Sequence, residues 1–341
     1  MAYTTIKKPS DYFNTVLYTG NGVDDRSITG VGFQPDFTWI KSRTTTDYHT
    51  LFDVVRGVGK RIFSNVTEAE DTTPDSLQAF ESDGFEVGTN NGVNGNNYNF
   101  VSWNWLGANG TAANTDGSIS STVSANTTSG FSIVSWTGTN ATGTVGHGLG
   151  STPKVVIYKN RTDVTNWYFT TTVIDGSNDL LFLNTTEASQ TFSAPVATNS
   201  LLNLIANNDT NGSGDNIIAY CFAEKQGYSK FGSYVGNGNA DGTFVYTGFK
   251  PAFVMVKNVN SGAQGWLMFD DERSPFNVAN KFMVANLSQA EASTSTHTMD
   301  FLSNGFKIRG TDDGVNGSGN TIIYMAFAEQ PLVGDNPATA R

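Results

Sequence analysis

The chain repeats itself three times, and this repetition constrains its fold more than any single motif does. Two landmarks recur, a glycine after an aromatic strand and a proline before the next strand: Gly20, Gly138 and Gly236, and Pro35, Pro153 and Pro251. The second copy lies 118 residues after the first at both landmarks, and the third lies 98 residues after the second. Two landmarks that share their offsets indicate tandem copies of one unit.

The rest of each copy sets the boundaries. FESDGFEV (80–87) and FLSNGFKI (301–308) are near copies, while the second copy departs from this pattern. Each copy closes with an Asn-Gly turn and an apolar strand. We therefore predict three β-sandwich repeats and one Gly/Ser/Thr-rich linker that is flexible or loosely packed. The four parts are residues 1–108 (first repeat), 109–129 (linker), 130–228 (second, divergent repeat) and 229–341 (third repeat with a C-terminal tail).

The pattern inside each copy predicts an all-β, jelly-roll-like fold. Short apolar runs are bounded by Gly, Asn, Asp and Pro, as in a sandwich or barrel. Asp-Gly and Asn-Gly pairs favour hairpin turns. We expect helical turns only at three matching places, 67–70, 185–189 and 287–293. Rigid packing of the three copies about a pseudo-threefold axis is a hypothesis at this stage.

Composition excludes several classes of protein. The net charge is −11, and charged residues make up 15% of the chain, against about 25% in an ordinary globular protein. Such an acidic chain lacks the basic footprint that binds nucleic acid. It has no apolar run long enough to span a membrane, and its start does not resemble a secretory signal. The lone Cys221 cannot form an intrachain disulfide.

The three histidines do not predict a catalytic or zinc site. None of them lies within four residues of another histidine. His49 lies in an apolar strand, where a core or edge position is expected. His147 lies in a Gly-rich turn and is expected to be exposed. His297 has no neighbouring ligand pattern, and no G-x-S-x-G elbow indicates a serine hydrolase.

Acidic clusters leave a glycosidase conceivable, since that chemistry needs two carboxylates. The densest cluster is Asp270, Asp271 and Glu272, followed by Asp312 and Asp313. We expect both clusters to be solvated loops.

One acidic pattern is itself repeated. Asp53 and Arg56 recur at equal spacing as Asp270 and Arg273, which favours a structural pair over an active site. We predict no catalytic, cofactor-binding or metal-binding residue, and the chain is expected not to be an enzyme.

Calcium and sugar are the two ligands that the residue types allow. The loops GTNNGVNGNN (88–97) and GTDDGVNGSGN (310–320) offer oxygen ligands, but ordinary turns use the same residues. The six tryptophans could stack on sugars, yet their positions in strands favour core packing. Trp105 corresponds to Phe222 and Phe327, so this position is aromatic in every copy.

The run GFQPDFTWIKSR, followed by FDVVRGVGKRIFSN, FESDGFEVG and VNGNNYNFVSWNWL, resembles an uncharacterised β-sandwich repeat of marine tailed-phage structural proteins. That family is related to concanavalin A-like and SPRY-like sandwiches and includes tail fibre and capsid appendage proteins. The close match covers residues 13–108; the third copy resembles the family's C-terminal version, and the second only distantly.

The resemblance implies a non-enzymatic virion structural protein, a capsid decoration, knob or tail appendage, assembled in the host cytoplasm. Its partners would be other capsid or tail proteins, without nucleic acid or membrane insertion. The alternative is a lectin-like receptor-binding module of a tail fibre that recognises host surface glycans. Both a single-chain pseudo-trimer and a true homo-trimer stay open.

Overall fold

The computed structural model describes residues 4–335 and 337–338. The predicted first and third repeats therefore extend at 1–3 and 339–341 beyond the described residues. Within the described part nearly all regular structure is β-strand, and every pairing of the named strands is antiparallel. The expected all-β class is confirmed.

The first segment, residues 13–105, forms a six-stranded and a three-stranded sheet that face each other. The large sheet has the strand order β1-β9-β3-β4-β5-β6 and the small one β2-β8-β7. The strands are β1 (Phe13–Thr19), β2 (Arg26–Thr29), β3 (Phe37–Ser42), β4 (Thr50–Asp53), β5 (Lys60–Phe63), β6 (Asp71–Thr72), β7 (Leu77–Glu81), β8 (Gly84–Val87) and β9 (Asn99–Trp105). A 3₁₀ turn at Pro9–Asp11 precedes them.

The second segment, residues 112–222, has a larger sheet of eight strands in the order β10-β11-β12-β19-β14-β15-β16-β17 and a small sheet of β13 and β18. The strands are β10 (Ala112–Asn114), β11 (Ser121–Asn126), β12 (Phe131–Thr137), β13 (Gly143–Gly146), β14 (Val155–Asn160), β15 (Tyr168–Thr171), β16 (Asp179–Phe182), β17 (Gln190–Thr191), β18 (Leu201–Leu204) and β19 (Asn216–Phe222).

The expectation that residues 109–129 form a flexible or loosely packed linker is therefore wrong. Strands β10 and β11 form a hairpin there, and β11 pairs with β12 to extend the large sheet. Small polar residues predicted flexibility, but Thr122 and Val123 lie opposite Ser135 and Val134, and the ladder of backbone hydrogen bonds orders them.

The third segment, residues 229–331, returns to the arrangement of the first. Its sheets have the orders β20-β28-β22-β23-β24-β25 and β21-β27-β26. The strands are β20 (Ser229–Val235), β21 (Phe244–Tyr246), β22 (Phe249–Asn258), β23 (Leu267–Asp270), β24 (Lys281–Val284), β25 (Ala292–Ser293), β26 (Met299–Leu302), β27 (Gly305–Ile308) and β28 (Thr321–Pro331).

Each segment contains one four-residue helix shortly before its last strand, and the expected helical turns at 67–70, 185–189 and 287–293 are wrong. The sequences there gave a weak helical pattern but contain no helical residue, and apart from the short strand β25 (Ala292–Ser293) they form irregular loops. The observed helices follow an Asn or Asp cap whose side chain accepts backbone N–H groups, the usual start of a helix. They are α1 (Asn91–Asn94), α2 (Asn208–Asn211) and α3 (Asp313–Asn316).

The central strands of the large sheets are buried on both faces, which explains their continuous apolar runs. Every residue of β3 is buried. Because side chains alternate, Phe37 and Trp39 point to one side of the sheet, and Ile40 packs on the other side against Phe52 and Phe85. The outer side is thus the core between the two sheets of one segment.

The inner sides of all three large sheets share one apolar cluster. Trp105 lies in this central core, 6.5 Å from Phe131 and 6.3 Å from Phe222 of the second segment, measured between ring centroids. It also lies 6.2 Å from Phe253 and 5.5 Å from Phe327 of the third. The three segments are therefore joined by buried aromatic contacts.

We predict that Trp105→Ala lowers the free energy of unfolding by about 3–5 kcal/mol, because it removes a fully enclosed aromatic side chain. Urea titration followed by fluorescence and circular dichroism measures this. The matched change Val23→Ala, at a side chain that is 59% exposed, should stay within about 0.5 kcal/mol. Equal effects of the two substitutions would contradict a shared central core.

Candidate functional site

His49 is buried in the core. Its Nδ1 accepts a hydrogen bond of 2.9 Å from Trp39 Nε1, so the ring proton lies on Nε2. Burial and the nearby Lys41 hold the pKa of His49 well below its usual range, while the Val284 backbone acts in the opposite direction. This neutral histidine occupies the expected core position.

His147 is also buried, so its expected exposure is wrong. Its Nε2 lies 3.2 Å from the Thr198 carbonyl, and its Nδ1 accepts from the Leu149 N–H at 3.3 Å. Burial lowers the pKa of His147 below its ordinary value.

His297 is enclosed on several sides in the third segment. Its Nε2 lies 3.1 Å from Asp312 Oδ1, and its Nδ1 lies 3.1 Å from the Thr294 hydroxyl. Phe282 stacks on the imidazole face with ring centroids 4.7 Å apart. Asp312 also caps α3 by accepting the Gly314 N–H, so both partners of this pair hold local structure.

The acidic cluster at 270–272 is largely buried, so the expected solvated loop is wrong. Asp270 ends β23, and its neighbour Asp271 pairs with the carboxyl group of Glu329. Burial first, then Glu329, raises the pKa of Asp271 well above its usual range. Glu329 also forms an ion pair with Lys250. Burial and Asp270 raise the pKa of Glu272.

The repeated Asp–Arg pairs lie where two segments meet. In the first segment Asp53 and Arg56 form a fully buried ion pair of 2.5 Å. Tyr220 of the second segment donates its hydroxyl proton at 2.7 Å to Asp53 Oδ2, the same oxygen that accepts from Arg56 Nε. Arg161, also of the second segment, binds Glu70 of the first through two hydrogen bonds of 2.8 Å. The two negative charges of Asp53 and Glu70 and the two positive charges of Arg56 and Arg161 thus balance within one network.

The same network recurs between the third and first segments. Asp270 and Arg273 form a fully buried pair of 2.6 Å, and Trp103 of the first segment donates its Nε1 proton to Asp270 at 3.0 Å. Arg43 of the first segment binds Glu291 through bonds of 2.9 and 3.0 Å. Equivalent contacts thus join different pairs of segments.

The contact between the second and third segments has lost these charges. By strand register, Thr171 stands where the aspartates stand, and Ile174 takes the arginine position three residues later. Ser189 and Val259 replace the outer Glu–Arg pair, but the Ser189 N–H still donates to the Val259 carbonyl at 2.9 Å. The backbone bond is kept at all three contacts, while the ion network is present at two.

Ring N–H groups add a second set of bonds between segments. Trp167 donates to the Phe63 carbonyl at 2.8 Å, and Trp266 donates to the Phe182 carbonyl at 3.0 Å. Strand register places His49 at the corresponding position of the first segment. Six of the six tryptophans are buried, which confirms their expected core placement. The thiol of Cys221 is buried in the second segment.

Three buried lysines, Lys41, Lys159 and Lys257, are the next-to-last residues of β3, β14 and β22. Lys159 Nζ donates to the Thr67 carbonyl of the first segment at 3.0 Å, and Lys257 Nζ donates to the Thr186 carbonyl of the second at 2.8 Å. Lys41 binds carbonyls of its own segment. Burial lowers the pKa of each lysine to about 8. Two of them therefore hold adjoining segments together.

The two loops considered for calcium are organised by buried asparagines. Asn94 Oδ1 accepts the Asn21 N–H, and its Nδ2 donates to the Gly88 carbonyl. Asn316 makes the same contacts with Asn237 and Gly310. Among residues 4–335 and 337–338, no three His, Cys, Asp or Glu side chains are grouped to hold a metal ion. The cofactor prediction stays a prediction.

The open clefts on the outer surface include one of about 410 Å³ in the first segment and one of about 530 Å³ in the third. Sequence reasoning missed both clefts and the Glu–Arg pairs. Glu70 and Glu291 lie in the matching TEAE and AEAS stretches, so the repetition could have indicated that the two glutamates are equivalent. The stretches contain no information about which arginines these glutamates bind. No helix in the described part of the chain is both long and apolar enough to cross a membrane.

We predict that Asp53→Asn lowers the free energy of unfolding by about 3–5 kcal/mol, because it leaves the buried Arg56 without its counter-charge. Asp270→Asn should have a similar effect. Thr171→Val, at the uncharged equivalent position, should cost only about 1–2 kcal/mol for two lost hydrogen bonds. Chemical denaturation of the three variants tests this, and equal losses in all three would refute the assignment.

The contribution of His49 and His147 to the free energy of unfolding should fall as the pH drops from 7 towards 5, while Asp271, whose pKa is raised, contributes in the opposite direction. The folded state keeps His49 and His147 neutral because their pKa values are lowered, whereas the unfolded chain takes up protons near pH 6.5. Thermal melts of the wild type and of His147→Gln across this range measure the effect. The variant should lose part of the pH dependence; an unchanged slope would contradict it.

Comparison of the chain with known proteins and protein families identifies its family but gives no function. No curated protein matches the chain. Residues 8–331 match the model described as a domain of unknown function, DUF7483, and the match runs through all three segments. The chain therefore belongs to the DUF7483 family of domains of unknown function.

Proposed function

We propose that this chain is a non-enzymatic structural protein on the surface of a tailed-phage virion, where it acts through protein–protein contacts. In this proposal the three segments are tandem jelly-roll-like sandwiches that form a compact knob on the capsid or tail. The particle would be assembled in the host cytoplasm. The resemblance of residues 13–108 to phage appendage repeats supports this assignment.

The observation that carries the proposal is the joining of the three large sheets through one apolar core. Their backbone contacts correspond at each meeting line: Glu70 N–H to Arg161, Ser189 N–H to Val259, and Glu291 N–H to Arg43. In this proposal the single chain presents three similar sides about one axis. Such a shape can bind three identical neighbours at once, as a site of local threefold symmetry on a particle requires.

Chemistry at the buried groups also supports a structural role. The histidines and aspartates that could serve catalysis are bound to other parts of the protein, as in the Asp53–Arg56 and His297–Asp312 pairs. The net charge of −11 would limit non-specific adsorption to anionic cell envelopes. In this proposal one chain supplies the threefold arrangement without forming a homo-trimer.

Cryo-electron microscopy of purified particles tests the proposal. We expect a knob of one 36.6-kDa chain at positions of local threefold symmetry on the capsid or tail. Mass spectrometry of the same particles supplies the copy number relative to the major capsid protein. Absence of the chain from purified particles would overturn the virion assignment, and three chains per knob would overturn the single-chain arrangement.

A further inference from the structure

The cleft of about 410 Å³ in the first segment lies beside the outer edge of the large sheet. It is bounded by β4, β5 and the start of α1. Its lining is mainly polar, and it is formed by Asp47, Tyr48, Thr50, Arg61, Phe63, Glu68, Asp71, Asn90, Asn91 and Gly92.

The corresponding place in the second segment is filled by aromatic rings. Tyr168 contacts Phe182 and Phe192 with ring centroids 5.3 and 5.7 Å away. In the first segment, strand register puts Thr50 in the place of Tyr168, and Thr73 follows β6 where Phe192 follows β17. Both threonines are smaller than those rings, and Thr50 lines the open cleft.

The third segment also fills this place. Phe282, which corresponds to Arg61 by register, is covered by His297 with ring centroids 4.7 Å apart. Arg61 is instead held to one side by two hydrogen bonds to Asp71, of 2.8 and 2.5 Å. Its guanidinium lies over Phe63 at 5.3 Å from the ring centroid. The open cleft is therefore a property of the first segment.

The groups in the cleft are suited to a ligand with many hydroxyls. Tyr48 is 39% exposed and packs edge-to-face on Phe63, so it offers an accessible ring at the cleft wall. Glu68 and Asn91 are exposed, and within the described residues their side chains form no hydrogen bond with the protein. Together these groups supply an aromatic surface, a carboxylate acceptor and an amide that both donates and accepts.

Charge narrows the ligand class further. Asp47, Glu68 and Asp71 against Arg61 give the cleft a net charge of −2. An anionic ligand would be repelled, and an apolar one would leave the polar lining unpaired. A neutral sugar satisfies both conditions, because its ring C–H groups pack on an aromatic side chain and its hydroxyls pair with the polar groups.

We propose that this cleft binds a neutral saccharide, with Tyr48 as the stacking platform and Glu68 and Asn91 as hydroxyl partners. The site goes beyond the proposed role in the particle, since it requires only the first segment's surface within the intact chain. It would give the chain a means to contact a glycan-coated surface.

Saturation-transfer NMR on the full chain tests the proposal, with maltose, cellobiose, lactose and mannobiose as probes and titration of those that bind. We expect at least one neutral disaccharide to bind. Tyr48→Ala should weaken that binding about tenfold, the loss expected for one aromatic contact of about 1.4 kcal/mol. Glu68→Gln should weaken it without changing the melting temperature.

Tyr246→Ala is the matched control, since this tyrosine of the third segment is 54% exposed and lies outside the cleft. It should leave saccharide binding unchanged. Binding by none of the four disaccharides at millimolar concentration would overturn the proposal, as would binding that Tyr48→Ala does not affect. Preference for a short oligolysine would show a cationic-peptide site and would also overturn it. None of these outcomes depends on where the chain sits in a particle.

Discussion

Burial of the three large sheets against one another is the constraint on which the rest of the structure depends. Each large sheet packs with one face on a small sheet and with its other face on the two other large sheets. Consecutive residues along its central strands must therefore be apolar. Trp105, which contacts rings of both other segments, shows the consequence. Its segment cannot bury this side chain alone, so the segments are stable together and expose apolar surface apart.

The contacts around that core differ in chemistry, although their backbone geometry is the same. The Asp53–Arg56 and Asp270–Arg273 pairs place charges in sites without water access, where each charge needs its partner. The contact of the second and third segments uses Thr171 and Ile174 at the same register positions. Replacement of a buried ion pair by apolar residues often preserves stability. The contact of the second and third segments can therefore be stable without the ion pairs. The charged networks specify which segments meet, since a misplaced neighbour would leave an ion unpaired.

Any role in recognition falls to the outer surface, because the inner faces are fully used. The outer loops differ among segments where the inner strands correspond. Thr50 opens the first segment's cleft at the position where Tyr168 closes the second. A scaffold that is rigid at its centre can thus vary its outer clefts without loss of the shared core.

The sequence alone determined the all-β class, the positions of many strands and the burial of the tryptophans, because alternation, turn residues and internal repetition are local signals. It also indicated that the Asp–Arg pairs are structural. Local signals misjudged residues 109–129, where small polar residues form a hairpin once β12 offers a partner, and His147, which the fold encloses. Only the tertiary structure decided which groups meet: Arg43 and Glu291 are 248 residues apart, and nothing near either residue names the other. The cleft likewise depends on Thr50 and Arg61 failing to fill a space, and that space exists only after the strands and loops of the first segment have packed.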